Sequence, residues 1–228
     1  MLDVAIRKAD GTVAPDWQHV GMRSAPPLPV APALSTLLPN GLRRGSTVSV
    51  GGSVSLLFAV LGAASANGAW CALVGFPRIS AEAAREYGVD LTRLALVPSP
   101  GEGWTTAVGA LLDAVDIVAA RPPGGRGLPP GDIRRLAARA RSKDAVLVPY
   151  VIGAEAAWPG ADVRLHAHDA TWTGIGAGDG RLRARQVEVT VSGRGQAART
   201  HTTSLWLPAD GGGIEPATPL APVIDLAG

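Results

Sequence analysis

Few residues of this chain combine a type and a spacing that could do chemistry. Gly51-Gly52-Ser53 lies between a β-branched run, Thr47 to Val50, and an Ala/Leu-rich segment, Leu56 to Ala64. Strand, glycine turn and buried helix form the skeleton of a phosphate-binding loop, in which turn amides and a helix N-terminus face an anion. A working loop of this kind reads G-x-x-x-x-G-K-[ST], the lysine reaching the phosphates and the hydroxyl holding Mg²⁺. Here no lysine lies between Lys8 and Lys143, and the turn is too short to wrap a triphosphate. The turn either still holds an anion or, as the missing lysine favours, merely lets a strand pass tightly into a helix.

Other chemical candidates are sparser. His166 and His168 stand two apart, with Asp169 beside them, so a strand would put both imidazoles on one face as in some metal sites. No third histidine or cysteine is near in sequence, so an ordinary half-exposed strand is the simpler account and no metal is expected. Cys71 sits in an apolar run and reads as a small core residue. Arg134, Arg135, Arg139 and Arg141 could form a patch for DNA phosphates or a partner, or a solvated helix face with Asp132 and Asp144 nearby. Among the tryptophans, Trp70 adjoins a core strand, whereas Trp17, Trp158 and Trp172 fall in or near loops, where an exposed indole would mark a partner surface.

The elements that position these residues come from patterning. At 228 residues and 46% hydrophobic, the chain suffices for one substantial α/β domain with extensions. No run of ~18 apolar residues suggests a membrane span. The first ten residues lack a basic-then-apolar export pattern, and a single cysteine excludes an internal disulfide, so the expected compartment is the cytoplasm. Net charge is only +2, so the pI of 9.1 reflects arginine and not a large positive excess.

Residues 1–33, with Pro26, Pro27, Pro29 and Pro32, read as a loosely structured arm with one short element around Val4 to Arg7. After the glycine turn and its helix, Ala69 to Val74 predicts a buried strand. Ser80 caps a helix over Ala81 to Tyr87 that Gly88 stops. Leu94 to Val97 is a strand. Trp104 to Ala114 is a helix, followed by a strand over Val115 to Ala119. Pro122 to Gly131 can only be a loop, and Asp132 is expected to cap the next helix, whose apolar stripe is Ile133, Leu136, Ala137 and Ala140. Ala145 to Ile152 is an apolar strand. This alternation predicts a mostly parallel sheet covered on both faces.

Beyond it, Val163 to His168, Thr171 to Ile175, Leu182 to Val191 and Arg199 to Leu207 read as an antiparallel meander. In it Val187, Val189 and Val191 alternate with Glu188 and Thr190. The domain layout is therefore an arm (1–33), a core (34–208) and a tail (209–228). The tail opens on a Gly-rich run unsuited to extending a sheet. It then carries Ile214, Leu220, Val223, Ile224 and Leu226 among prolines, so it either folds back on the core or docks a partner.

Several strings, taken in order, resemble the ATPase core of the RecA recombinases. They are Asn40-Gly41-Leu42-Arg43-Arg44-Gly45 before the first strand, Cys71-Ala72-Leu73-Val74, Tyr87-Gly88-Val89-Asp90-Leu91-Thr92-Arg93-Leu94, and Val115-Asp116-Ile117-Val118. The resemblance covers roughly Leu34 to Pro208. It implies an α/β, RecA-like three-layer core with an antiparallel β-meander. It also implies that the water-activating glutamate is replaced at about Pro77 and the Walker B aspartate at Arg121. The two DNA-contacting loops would fall between Arg121 and Asp132 and between Ile152 and Asp162, both cut short. A core so depleted resembles the ImuA type of accessory protein, in its actinobacterial ImuA-prime form. That family works in damage-induced mutagenesis with the inactive Y-family homologue ImuB and an error-prone C-family polymerase. The resemblance thus implies a non-enzymatic adaptor without cofactor, bound to ImuB, with RecA a second candidate partner and weak DNA contact or none. The alternatives are a cell-division inhibitor of the SulA type and a residual, atypical nucleotide-binding protein.

Overall fold

The computed structural model describes residues 7–8, 26–124, 128–153, 158–175 and 180–218. Its strands are β1 (Arg7–Lys8), β2 (Val48–Gly51), β3 (Cys71–Val74), β4 (Leu94–Val97), β5 (Ile117–Ala120), β6 (Val146–Val151), β7 (Val163–Trp172), β8 (Arg185–Gly193), β9 (His201–Trp206) and β10 (Glu215–Pro216). The helices are α1 (Val54–Ala66), α2 (Ala81–Glu86), α3 (Trp104–Leu112) and α4 (Pro130–Ser142). One sheet runs in the order β1-β4-β3-β5-β6-β2-β7-β8-β9-β10. Strands β4 to β7 of that order are parallel, and β8, β9 and β10 extend it antiparallel. The expected α/β architecture is present.

The continuous apolar strands follow from burial on two sides. β3 turns Cys71 and Leu73 toward α1 but Ala72 and Val74 toward α3, and β5 divides Ile117 and Ala119 from Val118 and Ala120 in the same way. On one face lie α1, α2 and the valines of β8; on the other lie α3 and α4. Nine of the 13 residues of α1 are buried, so this helix is apolar all round and not striped. Each large aliphatic side chain such as Leu56, Leu57 or Leu61 contributes about 1.5–3 kcal/mol by leaving water. Gly62 lets α1 meet the end of α2: a Cβ there would stand 1.8 Å from the Tyr87 carbonyl oxygen.

Two aspartates pin the amino ends of the strands. Asp116 accepts from Arg44 Nη1 at 2.7 Å and from the Trp70 amide at 2.9 Å. Asp162 accepts from the Thr47 amide at 2.9 Å and pairs with Arg43 at 3.6 Å.

Four expectations need correction. The proline-rich arm joins the core from Leu28 onward, where Leu28 and Leu42 exchange two 2.9 Å backbone hydrogen bonds and both side chains are buried. Spaced apolar residues gain more by burial than the prolines lose in hydrogen bonding. Asp132 does not cap α4: Pro129 occupies that position and Pro130 the first helical one, which suits a residue without an amide hydrogen. Asp132 sits in the first turn and pairs with Arg135. The two segments predicted around Asp169 form one strand, β7, with a bulge where Asp169 takes φ 48°. And the tail does extend the sheet, since Glu215 and Pro216 pair with Trp206 and Leu205. At the outer edge, proline's missing donor costs nothing.

Candidate functional site

The β2–α1 turn is shaped by what lies behind it. Gly51 is the last residue of β2 and pairs with Val151 on one side and His166 on the other. Gly52 has φ 79°, and a Cβ on it would stand 1.9 Å from the Ala167 carbonyl oxygen of β7. Both the left-handed backbone and the close approach require glycine there. Ser53 caps α1, its Oγ accepting from the Leu56 amide at 3.4 Å.

The turn is not without a cation. Arg185, at the start of β8, donates from Nη2 to Ser53 Oγ at 2.7 Å and from Nε to the Leu207 carbonyl at 2.8 Å. Its guanidinium also stands 5.5 Å from the centre of the Trp172 ring, a cation–π distance. A positive group therefore reaches the helix N-terminus from the meander, a signal that a search for a nearby lysine cannot find.

Beside the turn, a cleft of about 380 Å³ opens at the carboxyl ends of β3, β5 and β6. Val54, Phe76, Pro77, Arg78, Ile79, Arg121 and Tyr150 line it. Helices leave this edge toward opposite faces of the sheet, the position where α/β proteins place ligands. The structure thus brings together Pro77 and Arg121, which are 44 residues apart in numbering, next to the first residue of α1. Among the described residues none of those lining it is acidic. Tyr150 is only 9% exposed, packs against Phe76 with ring centres 5.7 Å apart, and has its phenol pushed above the usual range by burial, a rise the nearby Arg121 and Arg185 oppose. Among the described residues such a lining suits an anion and supplies no carboxylate for a divalent cation.

The remaining candidates lie elsewhere. On α4, Arg135 is held by Asp132 and Arg139 by Asp113, which leaves Arg134 and Arg141 as the exposed, unpaired pair among the four. Arg139 in turn holds the Asp113 carboxyl below its ordinary range. The helix face is half neutralised.

His166 and His168 do share a face of β7, with ring centres 6.3 Å apart, but among the described residues no group of three ligands could hold a metal. His168 lies between Asp169 Oδ2 and Thr190 Oγ1, each at 2.8 Å, and Thr190 meets Thr202 at 2.7 Å. This polar ladder covers the side of the meander opposite its core valines.

Cys71 is fully buried, and burial raises its thiol to about 12, so it is inert. Trp158 is buried, Trp70 is half-buried beneath Arg93, and Trp172 is exposed. Ile214 packs against the core, and the Gln186 side chain donates to the Thr218 carbonyl at 2.9 Å. Leu220, Val223, Ile224, Leu226 and Trp17 lie outside the described residues.

Residues 36–160 match the family described as "MT3502 N-terminal domain". A curated relative, the uncharacterized protein Rv3395c of Mycobacterium tuberculosis, is 35% identical over 129 residues. That alignment takes in 57% of this chain and spans 61% of the relative. The chain is also similar in fold to the RadB recombinase, with a TM-score of 0.60 and 14% identity over 82% of this chain and 97% of that one. At that identity the likeness shows the fold alone: it is RecA-like.

Proposed function

The chain belongs to the MT3502 N-terminal domain family, and we propose that it is a non-catalytic RecA-like adaptor in damage-induced mutagenesis, binding an ImuB-type inactive Y-family homologue and supporting an error-prone C-family polymerase. The make-up of the cleft carries the non-catalytic half of this reading. Pro77 and Arg121, the positions that the family resemblance assigns to water activation and metal coordination, both line it, and among the described residues no carboxylate does. Phosphoryl transfer is positioning plus electrostatic stabilisation, with metal ions bridging the phosphates. Guanidiniums at the metal position repel that metal.

The partner half rests on the resemblance to the ImuA type of a RecA-like core whose catalytic positions and DNA-contacting loops are depleted. RecA is a second candidate partner through surfaces of the shared fold. DNA contact is weak in this reading, because two of the four α4 arginines are already paired.

One observation favours a second reading, a residual nucleotide-binding protein: Arg185 supplies a positive charge at Ser53 where a phosphate loop would use lysine. Phosphate release from Mg-ATP by the purified chain decides between them. The adaptor reading expects none above background, and turnover lost on Arg185→Ala would replace it with the second.

A further inference from the structure

The apolar and charged residues at the carboxyl end of the sheet form a pattern of their own. Among the described residues five large apolar side chains are exposed: Val54, Ile152, Trp172, Ile175 and Leu182. All five lie at this one end. Val54 opens α1 and lines the cleft. Ile152 follows Val151, whose partner is the last residue of β2. The other three belong to the β7–β8 hairpin, which continues past the end of β2 because Gly51 already pairs with His166. The described residues 167–175 and 180–185 therefore extend past the end of β2, and the bonded pair Arg185–Ser53 ties the hairpin to α1.

The same end collects Arg78, Arg121, Arg181, Arg183 and Arg185. None of these five is paired with a carboxylate among the described residues, whereas Arg44, Arg85, Arg93, Arg135 and Arg139 each have one. The acids that follow β3 and β5, Glu82 and Asp132, are held by arginines of their own helices. Tyr150, largely buried, lines the cleft beside Phe76 and the arginines. Exposed apolar side chains beside five arginines that no carboxylate of the described residues holds make this end complementary to something both apolar and anionic.

We propose that this end docks an acidic amphipathic segment of a partner protein, its carboxylates entering the arginine cleft and its apolar side chains covering Val54, Ile152, Trp172, Ile175 and Leu182. The inference rests on the adaptor reading and names the chemistry of its partner. A nucleic acid would satisfy the arginines but not the aliphatic side chains, and the cleft admits a few side chains and no duplex. Salt should weaken docking without abolishing it, because only the charged half is screened.

The test uses fluorescence polarisation on the full chain. The probes are a labelled 15-residue peptide alternating Asp/Glu with Leu/Phe, the same peptide with every acid replaced by lysine, and a 20-nucleotide single-stranded DNA. The proposal expects saturable binding of the acidic peptide alone. Affinity should fall at least tenfold in Arg78→Glu/Arg121→Glu and at least threefold in Leu182→Asp, with thermal unfolding of each variant recorded. The double variant should gain binding to the lysine peptide, a reversal that a misfolded protein cannot give. No binding of the acidic peptide, binding unaltered by these variants, or tighter binding of the DNA through the same arginines would each overturn the proposal. Phosphate release from Mg-ATP, measured in parallel, reports separately on the adaptor reading, which stands if turnover is absent even when the peptide does not bind.

Discussion

Arg185 Nη2 donates to Ser53 Oγ across 2.7 Å, joining residues 132 apart in the sequence. The bond holds a cation at the positive end of α1, where the helix dipole alone would oppose it. The Leu207 carbonyl and the Trp172 ring offset that opposition. The two residues should therefore be energetically coupled. Ser53→Ala is expected to cost about 1 kcal/mol as a lost cap, and Arg185→Met about 1.5–3 kcal/mol as lost hydrogen bonds from a charged group. Urea unfolding of both single variants and the double should give a double variant less destabilised than the sum, by roughly 0.5 kcal/mol or more. Strict additivity would mean that the bond carries no stability.

Gly62 of α1 faces the end of α2 with no room for a side chain. Gly62→Ala normally favours a helix by about 1 kcal/mol, but here the added Cβ would meet the Tyr87 carbonyl at 1.8 Å. Overpacking of this kind costs about 1–3 kcal/mol, so the net change should be destabilising and lower the melting temperature. A melting temperature that rises would show that α1 and α2 can separate freely.

His166 gives a pH dependence. Burial, and secondarily the neighbouring His168, lower its affinity for a proton in the folded state relative to the ordinary value of 6.5. The unfolded chain then binds that proton more readily, so stability is full above pH 6.5 and declines as pH falls below it. His166→Gln should flatten that decline between pH 6.5 and 5. An unchanged profile would assign the acid sensitivity to other groups.

Two truncations separate the roles the tail can have. Truncation after Gly213 removes Ile214 from the core, the β10 pairing and the Gln186 bond to Thr218, so it should destabilise the fold. Truncation after Thr218 keeps those three contacts and tests Leu220, Val223, Ile224 and Leu226 as a docking peptide. The docking role expects at least tenfold weaker binding to the ImuB-type partner, about 1.4 kcal/mol. Binding unchanged by the second truncation would end that role.

What was legible in the sequence depended on how local its cause is. β4 is read residue for residue over Leu94–Val97, because a buried parallel strand is a bare apolar run closed by Pro98. Helix α2 is legible from Ser80, whose hydroxyl does accept from the Ala83 amide. The start of α4 was not, because two prolines read as loop although Pro130 suits a first helical position. Nor was the bulge at Asp169, which follows from register against β8, or β10, which needs an edge to pair with. The glycine turn was legible at Gly51-Gly52-Ser53, whereas the meeting of Pro77 with Arg121 in one cleft follows from the strand order and not from a local pattern. Arg185 was not legible either, since only the meander's path brings it to Ser53. The described residues hold no helix long and apolar enough to cross a membrane, as the hydropathy suggested.

The central claim is that this RecA-like chain binds its partner without using ATP. Isothermal titration of the purified chain with an ImuB-type homologue, with and without Mg-ATP, tests it most directly. The account predicts a saturable complex of the same affinity in both conditions, with no heat of hydrolysis. A complex that forms only with Mg-ATP, or no complex at all, would contradict it.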